Sequence, residues 1–118
     1  MSNPFALVRS VDDHGDHYKA LLLWCPGCEY QHEGRKVGGL NHIPFTGDGK
    51  KRPTWTWNND LVRVTIHPSL LVQYTRYDVP FVCHSFLQDG RWQFLGDCTH
   101  SLGNQSVPMI SLPDWILG

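Results

Sequence analysis

Four cysteines in 118 residues constrain this chain more than any other feature, and two of them stand together as Cys25-Pro26-Gly27-Cys28. Pro fixes one turn dihedral and Gly admits a positive φ, so two thiolates flanking this pair can converge on one metal ion. The same C-x2-C spacing serves thioredoxin-like redox chemistry, but that needs a βαβ context with the second Cys on a helix. Here Glu29-Tyr30-Gln31-His32-Glu33-Gly34 comes next, and no amphipathic helix develops from it. A zinc knuckle is the reading these residues favour over redox-active or inert cysteines. Met1-Ser2-Asn3-Pro4-Phe5 lacks a basic n-region leading into an apolar h-region. No signal peptide is therefore expected, and the expected compartment is a reducing cytoplasm, where metal ligands outnumber disulfides.

Composition narrows the partners. Hydrophobic residues make up 41% and charged residues 18%, the balance of a globular domain rather than a disordered one. Lys plus Arg is 10 and Asp plus Glu is 11, a formal charge of −1, which argues against a binder held to nucleic acid by phosphate contacts. The basic run Lys50-Lys51-Arg52 is too short to change that. The apolar run Ala20-Leu21-Leu22-Leu23-Trp24 is far below the ~20 residues of a membrane span.

The length suits one domain, and its pattern predicts a mostly β, antiparallel fold with long loops and no convincing helix. Residues 1–16 read as a polar lead-in ending in Asp12-Asp13-His14-Gly15-Asp16, where His14 and His17 are read as solvated. His17 to Trp24 is a strand candidate, and Tyr30 to Val37 its return. Gly38, Gly39, Pro44, Gly47, Gly49 and Pro53 mark a long loop. Thr54 to Trp57 alternates, Asn58-Asn59-Asp60 turns, and Leu61 to Ile66 reads as a strand by β-branched content. His67-Pro68-Ser69 breaks it, and Leu70 to Thr75 resumes. Val79 to Leu87 and Arg91 to Leu95 flank Asp89-Gly90, the strongest hairpin signal in the chain. Pro108 to Gly118 is expected as an extended tail, and the tryptophans as core before they are ligand platforms.

The Asp89-Gly90 turn pairs Gln88 with Arg91, Leu87 with Trp92 and Ser85 with Phe94. Alternation then places Cys83, Ser85, Phe94, Gly96 and Cys98 on one face, with His84, Phe86 and Asp97 on the other. Continued pairing sets Cys83 against Gly96, carries His100 along the face of Ser85 and leaves Asp97 diagonal to His84. Tetrahedral zinc needs two ligands besides the knuckle. Cys83 is the third candidate, and the fourth is His32, giving C-x2-C-x3-H, or Cys98, giving four thiolates. His100 is a further alternative. Without a metal, Cys83 and Cys98 read as ordinary core residues.

These motifs together resemble a known family. Cys25-Pro26-Gly27-Cys28-x3-His32, Trp57-Asn58-Asn59-Asp60, Thr65-x2-Pro68-Ser69, Cys83-His84-Ser85-Phe86-x2-Asp89-Gly90 and Phe94-Leu95-Gly96-Asp97-Cys98-Thr99-His100 are similar to a small family common in tailed phages and prophages. That family was formerly of unknown function and is sometimes mislabelled ammonia monooxygenase. The resemblance covers about residues 20 to 115. It implies a phage or prophage origin in a bacterial cytoplasm. Longer relatives look like components of ubiquitin-like conjugation operons, which implies a peptidase that removes the modifier. It also implies a zinc role for Cys25, Cys28 and Cys83, and favours His32 over Cys98, whose position tolerates Ser. Ser69, Ser85, Asp97 and His100 match polar positions that a metal site does not require. Val64 departs from the pattern, as does Ser101-Leu102-Gly103-Asn104-Gln105-Ser106, although Asn104 can keep a left-handed turn.

A serine attacks only when a base takes its proton and a third group orients that base. The expected set is Ser85 as nucleophile, His100 as base and Asp97 as orienter, with Ser69 the second nucleophile candidate. The expected function is a zinc-stabilised serine-type peptidase acting on a ubiquitin-like modifier or its conjugates, with structural zinc and a protein or peptide partner. The alternative is a non-enzymatic, zinc-ribbon-like phage accessory protein that binds a host protein. A third reading puts water on a catalytic zinc with Glu29 or Glu33 as base.

Overall fold

The computed structural model describes residues 3–47 and 51–117. Antiparallel pairing dominates it, as the alternating pattern predicts. Strands β1 (Ala6–Asp13) and β2 (Asp16–Trp24) form a hairpin across His14-Gly15, both with positive φ. The stretch read as a polar lead-in is thus mostly strand. It lies at the edge of a three-stranded sheet, where one face and one edge meet water, so polar composition does not prevent pairing. On the other side of β2 lies Leu40–Pro44, a strand inside the expected loop that buries Ile43 against Leu21 in register. Gly49, another residue of that expected loop, is outside the described residues.

Tyr30 to Val37 does not return as one strand. Glu33 and Gly34 both take positive φ and split it into β3 (Tyr30–His32) and β4 (Arg35–Val37), a hairpin of its own. With Leu40–Pro44 as β5, the chain then reaches a second sheet through β6 (Thr56–Trp57). Of the expected strand from Leu61 to Ile66, Leu61 to Thr65 does not form and only Ile66 is in a strand, as the start of the long strand described below. The Asp60 carboxylate accepts the N–H groups of Val62 and Arg63 at 2.8 Å each, and the Asn58 side chain joins Arg63 and Thr65. These side-chain bonds hold a loop against β-branched propensity.

The second sheet has the order β10-β9-β8-β7-β6. Strand β7 (Ile66–Arg76) runs through His67-Pro68-Ser69 rather than stopping there, and absorbs them as a register irregularity between Ile66 and Leu70. Strand β8 (Val79–Gln88) pairs with β9 (Arg91–Phe94) in the expected register, Gln88 to Arg91 and Ser85 to Phe94. Asp89 and Gly90 have φ of 50° and 75°, the double left-handed pair of a tight hairpin. Strand β10 (Ser106–Pro108) closes the sheet. The expected extended tail instead ends in one helical turn, α1 (Asp114–Leu117). No helix among the described residues is long and apolar enough to cross a membrane.

One buried cluster draws on both sheets: Leu21, Leu23 and Ile43 from the first, and Ile66, Phe81, Leu87, Trp92 and Phe94 from the second. Trp24 is 2% exposed and meets Trp115 edge-on at 6.0 Å, so the C-terminal turn covers the end of β2. Of the short basic run, Lys50 is outside the described residues. Lys51 and Arg52 both pair with Asp16, and Arg52 lies 3.8 Å over the Tyr18 ring, so these cations serve the fold.

The Asp89-Gly90 turn supplies a test of the packing around it. A Cβ on Gly90 would sit 3.0 Å from the Val62 carbonyl oxygen, whereas one on Gly15 would meet nothing. Both glycines have positive φ, so Gly15→Ala isolates the conformational cost of about 1 kcal/mol and Gly90→Ala adds a clash, for about 2 kcal/mol in all. Urea midpoints of the two variants should fall in that order.

Candidate active site

The outer face of β8 carries the first element of the site. Residues alternate along the strand, so Cys83 and Ser85 turn inward while His84 turns outward beside Leu71 of β7. After β9 the chain leaves regular pairing but stays against β8. Leu95 N–H donates to the His84 carbonyl at 2.9 Å, and Thr99 N–H to the Val82 carbonyl at 2.9 Å. Cys98 takes the place of a ladder residue between them. Its sulfur accepts the His84 N–H at 3.3 Å and its thiol donates to the His84 carbonyl at 3.2 Å. This irregular segment carries Asp97 over the imidazole.

Three side chains then form one line across the sheet. Ser69 Oγ lies 3.2 Å from His84 Nε2, and His84 Nδ1 lies 3.0 Å from Asp97 Oδ2. The carboxylate accepts the Nδ1 proton, which leaves the Nε2 lone pair facing the Ser69 hydroxyl. Ser69 reaches this line from the irregular stretch of β7, and its carbonyl is held by Trp55 Nε1–H at 3.3 Å. The His84 side chain is 27% exposed and Asp97 55%, so the line is open to solvent.

The set Ser85, His100 and Asp97 is not assembled as expected. Ser85 is 1% exposed and belongs to the inner face. His100 lies with the thiols, and Asp97 bonds His84 instead of His100. Pairing ends at Phe94, so Cys83 does not face Gly96, and the turn at Cys98 redirects the chain beyond it. The diagonal placement of Asp97 beside His84 is found. The histidine that meets both Asp97 and a serine is therefore His84, which sequence reasoning did not single out, and its signal was that same diagonal.

On the inner side lie the cysteines. The sulfur atoms of Cys25, Cys28 and Cys83, all buried, lie within 4.8 Å of one another, and Cys25 is 3.8 Å from Cys83. His100 Nε2 is 3.3 Å from the Cys83 sulfur, and the ligand atoms of Cys83, Cys98 and His100 make a second such group. His100 stands edge-on to Phe94 at 4.8 Å. Gly27 leaves room for it: a Cβ there would lie 2.5 Å from the His100 ring. Gly27 does not take a positive φ, so its role is space rather than the expected left-handed turn. Arg76 donates to the Cys28 carbonyl at 2.7 Å and ties the knuckle to β7. His32 is not brought to the thiols. It sits in the β3–β4 hairpin with Nδ1 3.0 Å from the Tyr77 hydroxyl, because Glu33-Gly34 turns that hairpin back on itself. Glu29 accepts the Trp24 indole N–H, and Glu33 occupies the hairpin turn.

Proton affinities in the cluster bear on its charge. The Cys28 thiol is pulled down because Cys25 and then Cys83 donate S–H bonds to its thiolate. Cys25 and Cys83 are pushed up, chiefly by holding the protons of those bonds, with burial adding to it. One sulfur ionises readily, but three buried thiolates in contact require a cation. Burial also favours the neutral form of His100, the form that ligates. The cluster could hold a metal ion.

Neither curated proteins nor solved structures yield a match to this chain. A family model does match, over residues 3–95, and its description is "Bacterial ubiquitination-like system serine protease (BubE)". Ser69 and His84 fall inside the matched stretch and Asp97 just beyond it. With most of its length matched and a serine, a histidine and a carboxylate in hydrogen-bonded sequence, the chain belongs to this family of bacterial ubiquitination-like system serine proteases.

Proposed function

We propose that this protein is a serine peptidase that cleaves a ubiquitin-like modifier from its conjugates or trims its tail, with Ser69 as nucleophile, His84 as base and Asp97 as orienter. The observation that carries the reading is the continuous line of hydrogen bonds from Ser69 Oγ through the His84 ring to Asp97 Oδ2. Ser69 Oγ attacks the scissile carbonyl carbon while His84 Nε2 takes its proton. Asp97 keeps the imidazolium oriented and balances its charge. The same proton passes to the leaving amine as the C–N bond breaks, which leaves an ester on Ser69. Water then attacks that ester while His84 takes its proton, and the same proton passes to Ser69 Oγ as the ester C–O bond breaks, which releases the acid and regenerates the serine.

The metal reading joins this one without entering the chemistry. Cys25, Cys28, Cys83 and His100 offer three sulfurs and one imidazole nitrogen, the donor set of a closed structural zinc site. When bound, zinc supplies the positive charge that balances three buried thiolates. Leu102 N–H donates to His100 Nδ1 at 3.2 Å, so ligation through Nε2, which would put the ring proton on Nδ1, would require that hydrogen bond to break. Because Cys83 precedes His84, a cation here anchors the strand that presents the base.

An alkyl fluorophosphonate should label the wild type and spare Ser69→Ala, while Ser85→Ala, if folded, keeps the label. Labelling of Ser69→Ala would sink the assignment of the nucleophile. Asp97→Asn should lower kcat by about 10² or more, less than for a buried triad aspartate because this one is half in water. Elemental analysis should return about one zinc per chain. His100→Ala should lose metal to a competing chelator at least tenfold faster than wild type, and His32→Ala at the wild-type rate. The reverse order would restore His32 as the fourth ligand.

A further inference from the structure

Strand β7 is paired along β8 on one side, but on the other side only at its start. Strand β6 covers Ile66 and His67, and no described strand lies beyond β7 from Ser69 to Arg76. The direction of the main-chain groups on that open edge is set by β8. The N–H and C=O of His84 are both engaged on the β9 side, by Cys98 and Leu95, and those of Val82 by Thr99. In an antiparallel ladder, opposite residues that do not bond each other turn their main-chain groups outward from the pair. Leu71 stands opposite His84 and Gln73 opposite Val82. The N–H and C=O of Leu71 and Gln73 therefore point away from β8, out of the sheet edge. Pro80 opposite Thr75 keeps the same phase, since it has no N–H to give.

Among the described residues nothing protects this edge. Leu71, Gln73 and Thr75 are all exposed, and their main-chain groups have no partner among the described residues. Edge strands are ordinarily blunted by charge, proline or a bulge. Here the bulge and Pro68 lie upstream of Ser69, and no charged residue appears between Ser69 and Thr75. The open main chain thus begins two residues from the nucleophile and reaches Gln73 roughly 13 Å from Ser69, at about 3.3 Å per residue. An unshielded edge is a hazard unless something is meant to pair with it, and the triad beside it specifies an acyl donor.

Resting on the peptidase reading above, we infer that the substrate docks as an added antiparallel β-strand on the Leu71–Thr75 edge of β7. The acyl side of the substrate runs from Thr75 toward Ser69, so its carbonyl end arrives at the Ser69 hydroxyl. The substrate class is an extended, flexible tail of about four residues, recognised by its main chain rather than by a deep side-chain pocket. The exposed Leu71 side chain, 52% open on the triad face, adds an apolar seat beside the scissile bond. A compact loop or a small ester offers no strand to pair and is a poor substrate.

Two diphenyl phosphonates with one warhead test this, one carrying acetyl-alanyl and one acetyl-tetra-alanyl. The longer probe should inactivate the wild type at least tenfold faster, and methylation of its alternate backbone nitrogens should remove that advantage. Gln73→Pro, which deletes an outward N–H and no ladder bond to β8, should cut the long-to-short ratio about tenfold. Equal rates for the short, long and N-methylated probes would overturn the docking mode, and this arm needs no variant that folds. Failure of every probe to modify Ser69 would instead overturn the peptidase reading. A dimer in solution that Gln73→Pro dissociates would assign the edge to a second copy of the chain and overturn the inference.

Discussion

Everything in this molecule hangs on the two faces of β8. The strand places Cys83 on the side of the knuckle and His84 on the side of Ser69, one residue apart and pointing in opposite directions. A slip of one residue in its pairing would exchange them, burying the imidazole and exposing the sulfur. Register is therefore the constraint to which both sites answer. It is secured three times: by the Asp89-Gly90 turn at one end, by the buried Leu87 and Trp92 pair beside it, and by the thiol cluster at Cys83. A cation on those sulfurs would fix the depth of the strand as well as its register.

The segment after β9 repeats the same division of labour without being a strand. Asp97 reaches outward to His84, Cys98 bonds the main chain of His84, and His100 turns inward to the thiols. Cys98 is the hinge of this arrangement. A thiol both donates and accepts weakly, so it can stand in for a backbone partner where the chain has bent away. That engagement sets it apart from the other three cysteines. Its sulfur serves the β8 backbone, while the His100 ring lies against the Cys83 sulfur.

Much of this was legible in the sequence, and the errors share a cause. The C-x2-C spacing, the Asp89-Gly90 hairpin and the β8–β9 register come from local rules: side-chain period, turn residues and ligand spacing. The diagonal of Asp97 and His84 came from alternation alone. The expected grouping of Ser85 with His100 and Asp97 is not what the fold brings together, because a serine on a buried face and one on an open face are identical letters. Its inward neighbour Cys83 carries the signal, since a strand face that packs buried sulfur does not also open to solvent. His32 is not brought to the thiols because C-x3-H spacing presumes a continuing chain, and the turn at Glu33-Gly34 reverses it. Leu61 to Thr65 failed because Asp60 and Asn58 bond the backbone more strongly than β-branched side chains favour a strand. The strand in residues 6–13 was missed because edge strands carry polar side chains on both faces.

On the proposed peptidase reading, the exposure of the Ser69–His84–Asp97 line bears on how the site would work. A carboxylate half in water stabilises an imidazolium poorly, since charge interactions weaken as the local dielectric rises. In the free protein Asp97 is 55% exposed and His84 27%, so the electrostatic support for proton transfer is weak until something excludes the solvent. A tail laid along the edge of β7 would do this from one side, covering Ser69 and Leu71, and the body attached to that tail would cover the sheet face. Substrate binding would then contribute to the chemistry and not only to affinity, because desolvation strengthens the hydrogen bonds that would orient the base. On that reading the site would react with small reagents and would gain rate when a docked macromolecule supplies the missing wall. That property suits a protease surrounded by abundant protein amides, where selectivity must come from the shape of what docks rather than from a pocket it already contains.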